Sequence, residues 1–271
     1  MLEVIFDALK DTLIALPFLF LAYLLMNYIS SKDITNKVLH YQAFGPIAGS
    51  ILGCIPQCGF SGTAAYLYNY DIITTGTLIS IFVACSDEAF MVLVINPTLW
   101  KTLIILIICK IIIGIISGYI YDLRNKSEYE WLELEGATCD CVGNIYEASF
   151  NHMLTTGFYI LIINLIFGLF IYFIGESNIV NFVSQYKTLQ LFITPLIGFI
   201  PNCAGSIILA TLYSNSAITF GSLTAGLITS AGVGTMVLFS NKEKRKNIVK
   251  IFSYLYIVAV ISGFILNLII K

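Results

Sequence analysis

The chain has 271 residues and a net charge of -2, with 58% hydrophobic and only 11% charged side chains, and its mean hydropathy is +0.89. A soluble domain of this length cannot hide so much apolar surface, and the absence of a sizeable basic patch excludes a nucleic-acid binder. The composition is that of an all-α integral membrane protein that crosses the bilayer several times.

The N-terminus, Met-Leu-Glu followed by Asp7 and Asp11, lacks a basic lead and a small-residue cleavage site, so the first apolar run is read as retained rather than as a signal peptide. Residues 12–31, 148–175 and 251–270 contain no Asp, Glu, Lys or Arg, and 188–241 form a 54-residue stretch with none. Each shorter run is long enough to cross a hydrocarbon core of roughly 30 Å as a helix, and the long one holds more than one crossing. In chain order the pattern predicts helical segments at 11–30, 43–55, 59–69, 72–95 and 100–121, then at 153–174, 188–200, 204–214, 217–240 and 250–270. That makes about ten segments in two sets of five, with a membrane half at 1–122, a linker at 123–150 and a second half at 151–271.

The two sets are related by duplication. A shift of 145 positions aligns 53–94 with 198–239 without a gap, and 15 of those 42 pairs are identical. They include Pro56/Pro201, Cys58/Cys203, Tyr68/Tyr213, Thr74/Thr219 and Gly76/Gly221. Apolar composition alone matches Leu with Ile, but it does not match Pro, Cys, Tyr and Gly in one register. Upstream, 8–29 aligns more weakly with 149–170 and sets Asp11 opposite His152.

In each half a pair of segments of 11 to 13 residues is too short to cross comfortably, and Ile-Pro-Gln-Cys (55–58) or Ile-Pro-Asn-Cys (200–203) stands at the junction. Proline lacks an amide donor and clashes with the preceding turn, so both junctions are expected to interrupt a helix. Such a break inside a bilayer persists only where protein or a water-filled cavity satisfies the freed backbone groups. Paired interruptions at matching places in two repeats point to the substrate site of a transporter near the midplane. If the short pairs re-enter, or if both pieces cross, the halves are inverted, and if each pair forms one broken crossing the halves are parallel. The lysine and arginine count does not decide the relative orientation of the halves. Inversion is preferred because the loop with Lys242, Lys244, Arg245 and Lys246 is strongly basic, whereas its mate at 96–101 has one Lys. This places both termini outside and the loops at 31–41, 123–150 and 241–249 in the cytoplasm.

Chemistry concentrates in "ACSDEAF", where Asp87 and Glu88 fall inside the segment read as one spanning helix at 72–95. A carboxylate at that depth costs about 2.5–3.5 kcal/mol on insertion scales, so the pair calls for a cation, a proton or a partner. Folding back about Asn96–Pro97 brings Lys110 to the level of residues 84–87, and an internal ion pair is the alternative to a substrate site, although Lys110 answers only one charge. The mates of residues 85–88 are Ser230, Ala231, Gly232 and Val233, so charge comes from one half alone. Oxygen donors from Gln57, Asn202, Asp87, Glu88 and freed carbonyls suit a hard or borderline divalent cation, and sulfur from Cys58 and Cys203 shifts preference towards softer metals. Taken singly, these two cysteines read as small apolar fillers. As a repeat-matched pair beside amides at breaks they read as site residues. Glycines 45, 49, 53, 114 and 118 are assigned to close helix packing. In the linker, Cys139 and Cys141 offer either an accessory metal site or two reduced thiols in an acidic, solvated loop. Seven cysteines scattered mainly through membrane segments do not describe a disulfide framework.

The stretches "DALKDTLIALPFLFLAYLLM", "GPIAGSILGCIPQCGFSGTAAYLY", "GTLISIFVACSDE", "TCDCVGN", "FIPNCAGSIILATLY" and "GSLTAGLITSAGVGTMVLF" together resemble the bacterial ten-helix heavy-metal exporters, also described as manganese transporters, over nearly the whole chain. The resemblance implies a multi-pass permease of the bacterial inner membrane that exports a divalent metal, with manganese favoured. It carries functional expectation onto Gln57, Cys58, Asp87, Glu88, Asn202 and Cys203. The family's linker is typically richer in His and Cys, so a metal-sensing role does not carry over to Cys139 and Cys141.

The sequence therefore reads as a secondary transporter with the metal ion as substrate, protons as coupling ion and no resident cofactor, rather than as an enzyme. No Walker A motif is present to make it a self-contained ATPase. The alternatives are a carrier of a small anion or oxyanion, including arsenical-type efflux, an intramembrane redox protein using Cys58 and Cys203, and an accessory subunit. The sequence leaves the oligomeric state open.

Overall fold

The computed structural model describes residues 44–55, 58–69, 72–85, 87–125, 189–200, 203–240 and 245–270, with scattered helical positions between 6 and 20 and between 150 and 183. All its regular elements are helical. In chain order they are α1 (Gly45–Gly53), α2 (Cys58–Asn69), α3 (Thr75–Ala84), α4 (Asp87–Ile95), a 3-10 turn at Pro97–Leu99, α5 (Trp100–Arg124), α6 (Gln190–Gly198), α7 (Cys203–Ser214), α8 (Phe220–Thr229), α9 (Val233–Ser240) and α10 (Arg245–Ile269).

The 145-residue offset carries α1 onto α6, α2 onto α7, α3 onto α8 and α5 onto α10 with the same first and last residues, and α4 onto α9 with a start one residue apart. The match reaches beyond the 42 aligned residues to the long helices, where side-chain identity has faded. Local chemistry explains the shared boundaries. Thr74 and Thr219 cap α3 and α8, accepting from the amides of Thr77 at 3.0 Å and Ser222 at 3.2 Å. After α2 and α7 the same reverse turn closes each hairpin, with the Ile72 amide donating to Leu67 O at 3.0 Å and the Ala217 amide to Leu212 O at 2.8 Å.

The helices that face outward have the polarity of a membrane protein. On α5, Ile104, Ile108, Ile112, Ile116 and Ile120 form an i, i+4 stripe, each between 50% and 58% exposed, while Lys110, Ser117 and Asp122 point inward and are buried. α10 repeats this with exposed Ile257, Ile261, Ile265 and Leu268. Such an arrangement is stable where the surrounding solvent is hydrocarbon. Among the described residues three stretches, 97–124, 220–239 (α8 with α9) and 247–269, are long and apolar enough to cross a membrane.

The short pairs fold back on themselves as helical hairpins. α1 lies alongside α3 in the same direction, with Gly45 against Thr77 and Gly53 against Ile81 and Ala84. α3 thus starts at the level where α1 starts. α2, about 18 Å long at 1.5 Å per residue, must therefore carry the chain back to the side from which α1 entered. The second half does the same, Gly198 packing on Gly226 and Thr229. A Cβ at Gly53 would come within 2.7 Å of the Ile81 carbonyl oxygen, glycines 45, 114 and 118 have neighbours at least as close on α3 or α1, and a Cβ at Gly49 would meet Ile81 at 3.0 Å, as helix packing requires.

α5 runs antiparallel to α3. The Gly76 amide donates to Asp122 Oδ1 at 2.7 Å and Thr74 Oγ1 to Asp122 Oδ2 at 2.9 Å. One turn along, Ser80 Oγ donates to Gly114 O at 3.0 Å. In the second half the Gly221 amide donates to Asn267 Oδ1 at 3.0 Å, the mate of the first of these contacts with a carboxamide in place of the carboxylate. The halves interlock through their short helices. α2 packs on α9 and α7 on α4, with Asn69 Nδ2 donating to Val237 O at 2.9 Å and Asn96 Nδ2 to Ser214 Oγ at 3.0 Å.

Candidate functional site

The structure brackets both proline junctions as breaks. α1 ends at Gly53 and α2 begins at Cys58, and α6 ends at Gly198 and α7 begins at Cys203. It also corrects the reading of 72–95 and 217–240 as uninterrupted helices. α3 stops at Ala84, and Cys85 turns to an extended conformation with φ -58° and ψ 131° before α4 starts at Asp87. α8 stops at Thr229, Ser230 has ψ 80°, and Gly232 takes φ 47°, the left-handed region that costs glycine little. Each half therefore carries two interruptions, one in the short-helix hairpin and one in the helix that follows.

These interruptions gather at one level. Gly53 touches Ala84, so α1 ends beside the end of α3, and Gly198 places the end of α6 beside Thr229 at the end of α8. A Cβ at Gly234, at the start of α9, would lie 2.7 Å from Ser61 O near the start of α2 and 2.9 Å from the Phe82 ring on α3. Lys110 joins the halves. Its Nζ donates to Cys85 O at the end of α3 and, at 3.0 Å, to Leu227 O in the last turn of α8. The side chain is fully buried. The closeness of Lys110 to residues 84–87 expected from folding about Asn96–Pro97 is thus observed at Cys85, and the reach to Leu227 is a contact that sequence spacing did not signal.

Asp87 and Glu88 are the first two residues of α4, Cys58 is the first of α2 and Cys203 the first of α7. All four stand at helix starts beside the interruptions, and their side chains lie outside the described residues. Gln57, Asn202, Cys139 and Cys141 lie outside the described residues altogether. Among the described side chains no group of three or more His, Cys, Asp or Glu is placed to hold a metal ion.

Backbone geometry alone gives this level a distinctive electrostatic character. Helices α1, α3, α6 and α8 end there and bring their carbonyl ends to it, whereas α2, α4, α7 and α9 begin there and bring their amide ends to it. Ends of the first kind attract cations and ends of the second kind attract anions. A family model described as "Putative, 10TM heavy-metal exporter" matches residues 1–173 and 145–271, and so spans the whole chain. The chain belongs to this family. No curated protein and no solved structure matches the chain.

Proposed function

We propose that the protein is a secondary transporter that exports a divalent transition or heavy-metal cation across the bacterial inner membrane by alternating access, with manganese the favoured cargo. The observation that carries this reading is the convergence of four helix interruptions, two from each half, at the level where Asp87 and Glu88 enter the chain. Membership of the heavy-metal exporter family supports the cargo class. In this reading Gln57, Cys58, Asp87, Glu88, Asn202 and Cys203 supply the metal ligands, and the carboxylates release protons when the cation binds, coupling export to the inward proton gradient. Residues 1–122 and 151–271 are the two moving halves and 123–150 joins them in the cytoplasm.

We take the halves to be inverted. α2 returns to the side on which α3 starts, and its last residue, Asn69, bonds to Val237 on α9, beyond the interruption that follows α8. Correspondingly Asn96, beyond α4, bonds to Ser214 at the end of α7. Each half thus enters from the side on which the other half's interrupted helix ends, which supports opposite orientation and a rocking exchange of conformations between halves.

A second reading is favoured by the helix starts at Cys58 and Cys203, whose amides would bind a small anion or oxyanion. The experiment that separates the two is transport in proteoliposomes with manganese, zinc, cobalt and arsenite, using the intact protein and Asp87→Asn with Glu88→Gln. Movement of a divalent cation that the double substitution abolishes, in protein that still elutes as a folded species, is the expected result. Undiminished transport by the substituted protein would show the carboxylates to be structural and return the anion reading to first place.

A further inference from the structure

Lys110 stands at the centre of the molecule and is not one of the proposed metal ligands. It is fully buried, yet its repeat mate, Leu255, is an equally buried hydrocarbon, so the fold does not need an ammonium at this place on the long helix. Among the groups Lys110 reaches are two helix-end carbonyls. Cys85 O closes α3 and Leu227 O belongs to the last turn of α8, so one ammonium draws together the negative ends of two half-helices, one from each repeat. In transporters built from discontinuous helices, unwound carbonyls and the C-terminal ends of half-helices are the groups that coordinate a free coupling cation.

We propose that the carbonyl ends of α3 and α8 form a monovalent-cation site that this protein fills permanently with its own Lys110 ammonium. The ligand class that would otherwise occupy it is an alkali or small ammonium ion. Because the charge is tethered, it cannot leave with the cargo, and the transport cycle carries no alkali ion through this position. The site stands on the geometry of Lys110, Cys85 and Leu227 whatever the cargo is. Only its consequence for the cycle rests on the exporter reading.

The test is the thermal unfolding midpoint of detergent-solubilised protein at constant ionic strength, with sodium, potassium, ammonium or methylammonium chloride set against choline chloride, whose cation is too large for the vacated space. The intact protein is expected to be indifferent to the cation. Lys110→Ala is expected to unfold about 5–10 °C lower in choline and to recover part of that loss, with saturable dependence on concentration, in at least one of the small cations. Lys110→Met, which keeps the length and drops the charge, is expected to be lowered as well, and it serves if the alanine variant does not fold. A methionine variant as stable as the intact protein, or an alanine variant whose loss no small cation reverses, would overturn the proposal and leave Lys110 as a space-filling side chain. In proteoliposomes the intact protein should move metal at a rate unaffected by exchanging a sodium for a potassium gradient. A sodium-driven flux would overturn the tethered role without touching the exporter reading, and absence of metal flux would overturn that reading without touching the melting result.

Discussion

Replacing Asp122 tests whether the two halves are physically equivalent scaffolds. The residue is 7% exposed and accepts from the Gly76 amide at 2.7 Å and from Thr74 Oγ1 at 2.9 Å, at the positive end of α3. Asp122→Ala deletes both acceptors. An orphaned buried amide costs about 1–3 kcal/mol, and the loss of a carboxylate from a helix N-terminus about 0.3–1 kcal/mol more. With the threonine bond included, the expected destabilisation is about 2–5 kcal/mol. Asp122→Asn should cost at most about 1 kcal/mol, because a carboxamide oxygen still reaches the amide, as Asn267 does for Gly221 at 3.0 Å in the second half. Asn267→Ala should fall between, about 1–2 kcal/mol, since it removes one neutral bond. The assay is SDS-driven unfolding of the protein in mild detergent, followed by circular dichroism, with the three midpoints ranked. If Asp122→Asn is as damaging as Asp122→Ala, the carboxylate charge serves something other than this helix clamp, and the equivalence drawn between Asp122 and Asn267 is wrong.

Gly53→Ala introduces a Cβ 2.7 Å from a backbone oxygen and 3.1 Å from the Ala84 Cβ, neither of which can rotate away, so α1 must part from α3. The same unfolding assay should register a loss of about 1–3 kcal/mol, and no loss would mean that the hairpin is free to shift. For the lipid-facing stripe the informative change is Ile112→Arg on a half-exposed position. It should cost about 2.5–3.5 kcal/mol of insertion and deplete the protein from the membrane fraction, with Ile112→Leu as the neutral control. In a water-facing stripe the arginine would be harmless, so normal yield of the arginine variant would sink the assignment of that face.

The two proline junctions were legible because a broken helix needs a chemical cause and Pro56 and Pro201 supply one. The second pair of interruptions was not, because 72–95 and 217–240 continue apolar through residues 85–86 and 230–232 without a proline. Two signals were nevertheless present. Ser86-Asp87 is the kind of dipeptide that opens a helix, and Gly232 is the residue type that a φ of 47° selects. Hydropathy alone, averaged over a window longer than either half-helix, removes both. The position of Lys110 opposite residues 84–87 followed from antiparallel register, a local property of two helices joined by a tight turn. Its second partner, Leu227, is 117 residues away, and contacts between repeats of that kind leave no spacing pattern to read.

The duplicated scaffold contrasts with the residues that carry charge. Element boundaries repeat almost residue for residue, yet Asp87, Glu88, Lys110 and Asp122 all belong to the first half and have Gly232, Val233, Leu255 and Asn267 as their repeat mates in the second. In the proposed mechanism the two end states arise when inverted halves trade conformations, and identical halves would make those states equal in energy apart from the membrane potential. Unequal side chains remove that degeneracy. Whichever conformation the first half adopts, its charges experience a different burial from that of their neutral mates, so the empty carrier rests preferentially on one side. The bound cation then has to bring enough differential binding energy to reverse that preference. The asymmetry needed to give a symmetric fold a resting orientation is therefore concentrated in a few positions of one half.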